Sequence, residues 1–161
     1  NSYSLAKKID PDKIIDTILK VKHRSRIFAL FSLATGLRTL EAIEAFNEHD
    51  KLCNGKLIEL FWHRRSKKAN AVFCHPKLHN QIDFKINHVM VKRHYHSKIL
   101  GADFRILRKI NYTYTAEKIS EPLAKFMQGR TGDISQRLYY LPMMEQHYAK
   151  WVKFWQLKLR L

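Results

Sequence analysis

Several basic side chains stand at places in the sequence where they could bind a phosphate group. Arg38 follows the apolar run of a helix and precedes Glu41 by three residues, a spacing at which the two side chains can pair on a helix. Arg105 and Arg108 have the same spacing and share one helix face. Arg130 directly follows a glycine that could end a helix. A guanidinium is planar, permanently charged and able to donate two hydrogen bonds to one partner, so these arginines suit the oxygens of a phosphate.

Taken one at a time, these features have simpler explanations. A lone arginine pair usually lies on a solvated face, and an arginine three residues before a glutamate is usually a weak surface pair. Tyr139 and Tyr140, nine and ten residues after Arg130, would by themselves indicate packing. Lys67 and Lys68 lie in a polar stretch between two β-rich segments, where a turn is expected. Only the order of the whole set along the chain is informative.

The composition favours a polyanionic partner. The 161 residues carry 30 Lys and Arg against 14 Asp and Glu, a formal net charge of +16. Such an excess repels itself in a compact fold and is typical of proteins that bind nucleic acid, with a membrane surface as the other candidate. No stretch of about 18 apolar residues and no signal-peptide pattern is present, so we expect no spanning helix and no secretion.

The two cysteines, Cys53 and Cys74, are too few for a disulfide framework and indicate a reducing compartment. Cys74, His75 and His79 lie close together in the sequence, but their spacing matches no pair-and-pair pattern of zinc ligands. We therefore expect no metal site and no cofactor.

The periodicity predicts one α+β domain that is mainly helical. Asp10 and Pro11 are typical of a helix start, and Ile14 and Ile18 begin its apolar stripe. Further helices are predicted over 26–34, 37–46, 103–112, 121–128 and the amphipathic C-terminal stretch. Segments 57–64 and 70–75 predict a β-hairpin, whereas 83–98 fits a strand or a helix equally well.

The ordered set of motifs resembles the catalytic domain of the tyrosine recombinases. "ATGLRTLEA" matches the first box of that family, "FRILRK" the second and "QGR" the third, and a hairpin lysine and a late tyrosine stand at the expected places. The similarity runs from about residue 10 to 140 and is greatest to the integrases of Sulfolobus spindle-shaped viruses. It implies a helical bundle with a small antiparallel β-hairpin on one side. It also implies that residues 1–161 form a single catalytic domain, the C-terminal part of a longer integrase.

The resemblance implies a role for each charged residue of the set. Arg38, Arg108 and Arg130 would bind the scissile phosphate, and Glu41 would hold Arg38 in place. Lys67, with Lys68 as second choice, would protonate the leaving 5′ oxygen. Arg105 occupies the place of the usual histidine. Because an arginine in a protein cannot be deprotonated, Arg105 would act as a further charge clamp, and the general base stays open.

The resemblance leaves two candidates for the nucleophile. A nine-residue spacing from Arg130 is the commoner one in the family and favours Tyr139, but the spindle-virus type has ten and favours Tyr140, which we prefer. Tyr148 is the third choice, since it lies on the apolar face of the last helix. The implied reaction cleaves and rejoins DNA through a 3′-phosphotyrosyl intermediate without a metal. It would integrate viral DNA into a host chromosome, in the host cytoplasm.

The expected partners are double-stranded DNA and further copies of the chain, in a tetramer on DNA and with no membrane. The basic residues expected to grip backbone phosphates are Lys22, Arg24, Arg64, Arg65, Lys68, Lys92, Arg93 and Lys98. The tryptophan-rich face of the last helix could pack on its own core, which we favour, or on a neighbouring subunit. The alternatives to a recombinase are a DNA-binding module of the same ancestry without catalysis and a type IB topoisomerase.

Overall fold

The fold is a mainly helical α+β domain, seen in a computed structural model that describes residues 9–59, 71–130 and 137–161. The helices are Pro11–Leu19 (α1), Arg26–Thr35 (α2), Thr39–Asn47 (α3), His49–Leu52 (α4), Pro76–His79 (α5), His88–Tyr95 (α6), Ser97–Leu100 (α7), Ile106–Lys118 (α8), Glu121–Met127 (α9) and Arg137–Lys158 (α10). The strands are Cys53–Asn54 (β1), Leu57–Glu59 (β2) and Ala71–Phe73 (β3). The predicted fold class is confirmed.

Helix α2 forms the centre of the core. It is buried from Ile27 to Thr35, and it packs against α8 and α3. An apolar helix with no polar face has to be covered on all sides, and α10 supplies part of that cover. Trp151 and Trp155 of α10 are fully buried, and the indole nitrogen of Trp151 donates to Ala34 O over 3.1 Å. The tryptophan face thus packs on its own core, as predicted.

Local signals explain where the helices begin. Asp10 caps α1 by accepting from the backbone N–H of Asp12 over 3.0 Å, as predicted from the sequence. Asn87 caps α6 by accepting from the N–H of Met90 over 3.0 Å. The sequence of residues 83–98 suited a strand or a helix equally well. With Asn87 as its cap, the part His88–Tyr95 is helical.

The predicted pairing of the β-hairpin is confirmed. Strand β2 runs antiparallel to β3, with Ile58 opposite Val72, and β1 adds a third strand on the other side of β2. The expected turn with Lys67 and Lys68 lies outside the described residues.

The prediction for the cysteines is wrong: Cys53 and Cys74 form a disulfide with a Cα–Cα distance of 6.1 Å. The two residues are 21 positions apart in the sequence. Cys53 opens β1 and Cys74 follows β3, so the disulfide ties the two outer strands of the sheet to each other. Cysteine counting could not reveal this proximity, because it depends on the register of the sheet.

Candidate functional site

The guanidinium of Arg108 joins the ends of two helices. Its Nη1 donates to Gly36 O and its Nη2 to Gln128 O, each over 2.9 Å. Gly36 ends α2 and Gln128 ends α9. The last carbonyls of a helix have no partner within the helix and carry partial negative charge, so a cation placed there is stabilised. Arg108 is thereby fixed in position by the backbone of two other elements.

Gly36 is required at this junction for two reasons. Its backbone has φ +70°, the left-handed region that side chains rarely adopt. A Cβ here would also overlap Asn111 Oδ1 and lie 2.7 Å from Asn111 Cγ and 2.9 Å from Gln128 Nε2. The glycine of the "TGLR" motif thus lets α8 and α9 approach the end of α2.

Two buried amides hold the same junction together, and sequence reasoning missed both. Asn111 Nδ2 donates to Leu33 O over 2.8 Å and to Ala34 O over 3.0 Å. Gln128 Nε2 donates to Arg108 O over 2.7 Å and to Asn111 Oδ1 over 3.2 Å. Both residues are fully buried. The available signal was that Asn111 follows Arg108 by one helical turn and that Gln128 begins the "QGR" box.

Arg130 is positioned by the end of α9. Gly129, with φ +70°, donates to Phe126 O over 3.0 Å, and Arg130 N donates to Lys125 O over 2.9 Å. This pair of bonds is a Schellman motif, which ends a helix at a left-handed glycine. The exposed side chain of Arg130 then lies with Cζ 4.5 Å from the centre of the Tyr112 ring. A cation over an aromatic face is attracted by the ring, which restrains it.

Arg38 and Glu41 form the ion pair that their spacing predicts. Arg38 Nη1 lies 3.3 Å from Glu41 Oε1 at the start of α3. Glu41 is buried with a side chain 6% exposed, and its charge lies in the first turn, where the helix dipole stabilises it. Arg38 was expected to be buried, but its side chain is 40% exposed. The carboxylate is the buried member of the pair, and the guanidinium reaches the surface.

The three arginines act on one another electrostatically. The pKa of Arg108 is lowered to about 10, first by burial and then by the nearby charges of Arg38 and Arg130, while Glu41 opposes the shift. The structure therefore brings Arg38, Arg108 and Arg130 together, with Glu41 beside them. Among the described residues, Glu41 is the carboxylate that acts on Arg108. A group of guanidinium charges of this kind is suited to bind an oxyanion.

Arg105 lies apart from this group among the described contacts. It is the N-cap of α8, its side chain is 80% exposed, and its Nε lies 3.2 Å from Asp103 Oδ1. The pKa of Asp103 is lowered, first by the hydrogen bond from the Arg105 backbone N–H. Arg105 thus faces solvent at the helix start, one turn before Arg108.

Some predicted site residues fall outside what the structure describes. Lys67 and Lys68 lie outside the described residues, as do the predicted phosphate contacts Arg64 and Arg65. The preferred nucleophile Tyr140 and the second choice Tyr139 lie in the first turn of α10, and their side chains are outside the described part.

Tyr148, the third choice for the nucleophile, packs in the structure. Its hydroxyl donates to Cys74 O over 3.0 Å, and its ring contacts Phe73 edge-on. Burial raises the pKa of this phenol. These contacts give Tyr148 a structural role between α10 and β3.

The predicted phosphate contacts Lys92 and Arg93 are exposed on α6. The next residue of that helix, His94, stacks on His23, with ring centres 3.9 Å apart. The neighbouring Arg24 lies with Cζ 4.7 Å from the centre of the Phe84 ring. Basic side chains of two chain segments are thereby held on one surface. Among the described helices, none is long and apolar enough to span a membrane.

Comparison with known proteins agrees with the motif order. The family model described as archaeal phage integrase matches residues 7–154, nearly the whole chain. No curated protein and no solved structure matches it. An integrase acts on DNA, which accounts for the positive charge of the chain. The chain belongs to the archaeal phage integrase family.

Proposed function

We propose that this chain is the catalytic domain of a site-specific recombinase that cuts and rejoins DNA through a covalent 3′-phosphotyrosyl intermediate. The observation that carries the proposal is geometric: Arg108 bonds to Gly36 O and Gln128 O, which stand two residues before Arg38 and two residues before Arg130. Burial, and then the charges of Arg38 and Arg130, lower the pKa of Arg108 accordingly. The motifs of the chain are most similar to those of the integrases of spindle-shaped viruses. We therefore propose that the reaction integrates viral DNA into a host chromosome. Four copies would act together on paired DNA sites.

The reaction is an exchange of phosphoesters. The phenol oxygen of Tyr140 attacks phosphorus and forms the phosphotyrosyl bond as the bond from phosphorus to the 5′ oxygen breaks. Lys67 gives its proton to that leaving oxygen, while a base not yet assigned takes the phenol proton. A 5′ hydroxyl from another strand reverses these steps. The ester stores the energy of the broken bond, so the exchange needs no outside energy source.

The arginines stabilise the charge that develops on the nonbridging oxygens. An arginine has five N–H donors, and Arg108 uses two of them on the carbonyls of Gly36 and Gln128. The remaining donors can face the phosphate from a position fixed before DNA binds. Donors that need no rearrangement during the reaction are the most effective catalytically. Arg38 and Arg130, both reaching the surface, would close on the same phosphate.

Arg105 has a different part in this proposal. Its exposed guanidinium, held by Asp103 in the free protein, would move to DNA and add charge beside the scissile phosphate. Exposed lysines and arginines such as Lys92 and Arg93 would grip the backbone and set the register without reading sequence. Binding should therefore weaken steeply as salt is added.

A suicide substrate tests the proposal. A duplex nicked close to the cleavage point loses a short fragment after cutting, which traps the covalent adduct. We expect a slower band on a denaturing gel with the wild type and with Tyr139→Phe, and none with Tyr140→Phe. The opposite result for the two variants would make Tyr139 the nucleophile.

The same assay separates the rival functions. Binding of the nicked duplex without any adduct, over a range of salt, would leave a DNA-binding module. Adduct formation on any sequence, together with relaxation of a supercoiled plasmid, would indicate a topoisomerase instead. A recombinase should form the adduct at a defined site and join it to a second DNA end.

A further inference from the structure

A second group of reactive side chains lies beside the sheet and has no part in the proposed recombination. The ligand atoms of Cys53, Cys74 and His79 lie within 4.8 Å of one another. A second set, His49, Asp50 and His79, meets the same limit and shares His79. Sulfur and imidazole together are the ligands that zinc prefers in proteins.

The two nitrogens of His79 have different surroundings. Nε2 lies 3.8 Å from Asp50 Oδ1. Nδ1 is buried and has no hydrogen-bond partner among the described residues. A buried polar atom left without a protein partner is costly, and a bound ion is one common way to satisfy it. The Asp50 contact, at 3.8 Å and with the Asp50 side chain 81% exposed, is one of charge and not a hydrogen bond.

Asp50 is itself positioned by a second histidine. His49 Nε2 lies 3.1 Å from Asp50 Oδ1, and His49 Nδ1 is bonded to Phe46 O over 2.9 Å. The His49 and His79 rings meet edge-on, with centres 4.6 Å apart. A carboxylate and a second imidazole thus border the outer side of His79, and groups of this kind often support the ligands of metal sites.

We propose that, once the disulfide is reduced, Cys53, Cys74 and His79 Nδ1 bind a divalent ion of the zinc type, with water in the fourth position. Asp50 acts only through its charge, which lies beside the other ring nitrogen of His79. The disulfide and the metal site are alternative states of the same two sulfurs. A dithiol reductant supplies two electrons and two protons to form two thiols, and the ion then displaces one proton from each. Either state ties β1 to the end of β3.

Cobalt binding to the whole chain tests this proposal, with no DNA present. The protein is reduced without oxygen until a thiol reagent counts two thiols per chain, and it is then titrated with Co²⁺. Cobalt bound by thiolate gives a near-ultraviolet charge-transfer band. We expect this band in the reduced protein, its loss when one equivalent of Zn²⁺ is added, and no band in the oxidised protein.

Variants assign the ligands. His79→Ala should weaken cobalt binding at least about 100-fold, because losing a residue that only orients a ligand already costs about 10- to 100-fold. Asp50→Asn should weaken cobalt binding by no more than about 10- to 100-fold. The control is His88→Ala, an exposed histidine at the start of α6 that belongs to neither set. Circular dichroism checks that each variant is folded.

Two results would overturn the proposal. One is reduced wild-type protein with two counted thiols and no charge-transfer band. The other is a folded His79→Ala protein that binds cobalt as tightly as the wild type. The first comparison needs no variant, so a variant that fails to fold does not remove the test. Because DNA cleavage is not measured, neither result bears on the recombinase proposal.

Discussion

Two cations of this molecule, Lys158 and Arg108, have pKa values shifted in opposite directions. Lys158 ends α10, with Nζ 2.8 Å from Asp12 Oδ1 and 4.3 Å from the centre of the Tyr114 ring. Partial burial opposes its charge, but hydrogen bonds with Asp12 and Tyr114 outweigh that effect and raise the pKa of Lys158. The cation thus has an anionic partner within the fold, and the pair joins α1 to α10.

Arg108 has neutral carbonyls where Lys158 has a carboxylate. Burial first, and then the charges of Arg38 and Arg130, lower the pKa of Arg108 to about 10, with Glu41 acting against the shift. Like charges held close together cost free energy. Among the described residues, the charge of Arg108 is therefore less fully compensated than that of Lys158, which is what the proposed phosphate site requires.

The largest effect is expected at Arg108 itself. Arg108→Ala should lower the rate of adduct formation on the suicide substrate about 100- to 1000-fold, the usual cost of losing one preorganised donor. Duplex binding, measured by fluorescence anisotropy, should change little, because other cations provide the grip. If Arg108→Ala lowered the cleavage rate and the affinity for duplex DNA equally, Arg108 would be only a phosphate contact for binding and would have no special role in cleavage.

Arg105→Ala is the matched control, three residues away on the same helix. We expect a smaller loss of cleavage and a salt slope of binding reduced by about 1, as for one lost phosphate contact. If the two variants lose the same amount of cleavage rate, holding Arg108 by the carbonyls of Gly36 and Gln128 does not contribute to catalysis.

The next effect concerns the junction that holds Arg108. Gly36→Ala forces a side chain into a left-handed backbone, at about 1–2 kcal/mol, and into overlap with Asn111, at about 1–3 kcal/mol. We expect the free energy of unfolding, measured in urea, to fall by about 3 kcal/mol. Gly101→Ala is the control: its φ is +81° but a Cβ would meet nothing within 4 Å, so only the backbone cost applies. Similar losses in the two variants would mean that the close approach at Gly36 costs nothing.

Local signals made much of the fold predictable from the sequence. The helix start at Asp10, the end of α2 at Gly36 and the pairing of β2 with β3 depend on neighbouring residues, and the structure agrees with each prediction. The pattern around Arg38 and Glu41 likewise predicted their ion pair. These features need no knowledge of distant contacts.

The rest depends on contacts between distant parts of the chain. Asn111 bonds to residues 77 and 78 positions earlier, and its place one helical turn after Arg108 does not by itself reveal those partners. The pairing of Cys53 with Cys74 required the register of three strands. The exposure of Arg38 could not be read from an apolar run that suggested burial.

A smaller effect is expected at the buried amide beside Arg108. Gln128→Met keeps the volume but removes the donor to Arg108 O and Asn111 Oδ1, which leaves buried acceptors unsatisfied. A loss of about 2 kcal/mol in urea unfolding is expected. Gln81→Met is the control, because the exposed side chain of Gln81 bonds only to Lys77 O among the described residues. Its free energy of unfolding should stay within about 0.5 kcal/mol of the wild type. An equally mild effect at Gln128 would show that the network adds little to the position of Arg108.

The smallest effect is expected at the partner of Lys158. The pKa of Asp12 is lowered from 3.8, first by the hydrogen bond with Lys158 and then by that with Tyr114. A lowered carboxyl pKa gives stability that is present above 3.8 and is lost as the pH falls through the lower folded value. Asp12→Asn should therefore cost about 0.5 kcal/mol at pH 7, since the pair is exposed. In urea titrations the difference should shrink as the pH falls below 3.8 and vanish below the lowered folded pKa of Asp12. Asp83→Asn, at an exposed carboxylate without an ion pair among the described residues, is the control and should cost nothing at either pH. A cost at Asp12 that persists in acid would mean that packing, and not charge, joins α1 to α10, and the contrast with Arg108 would then rest on that arginine alone.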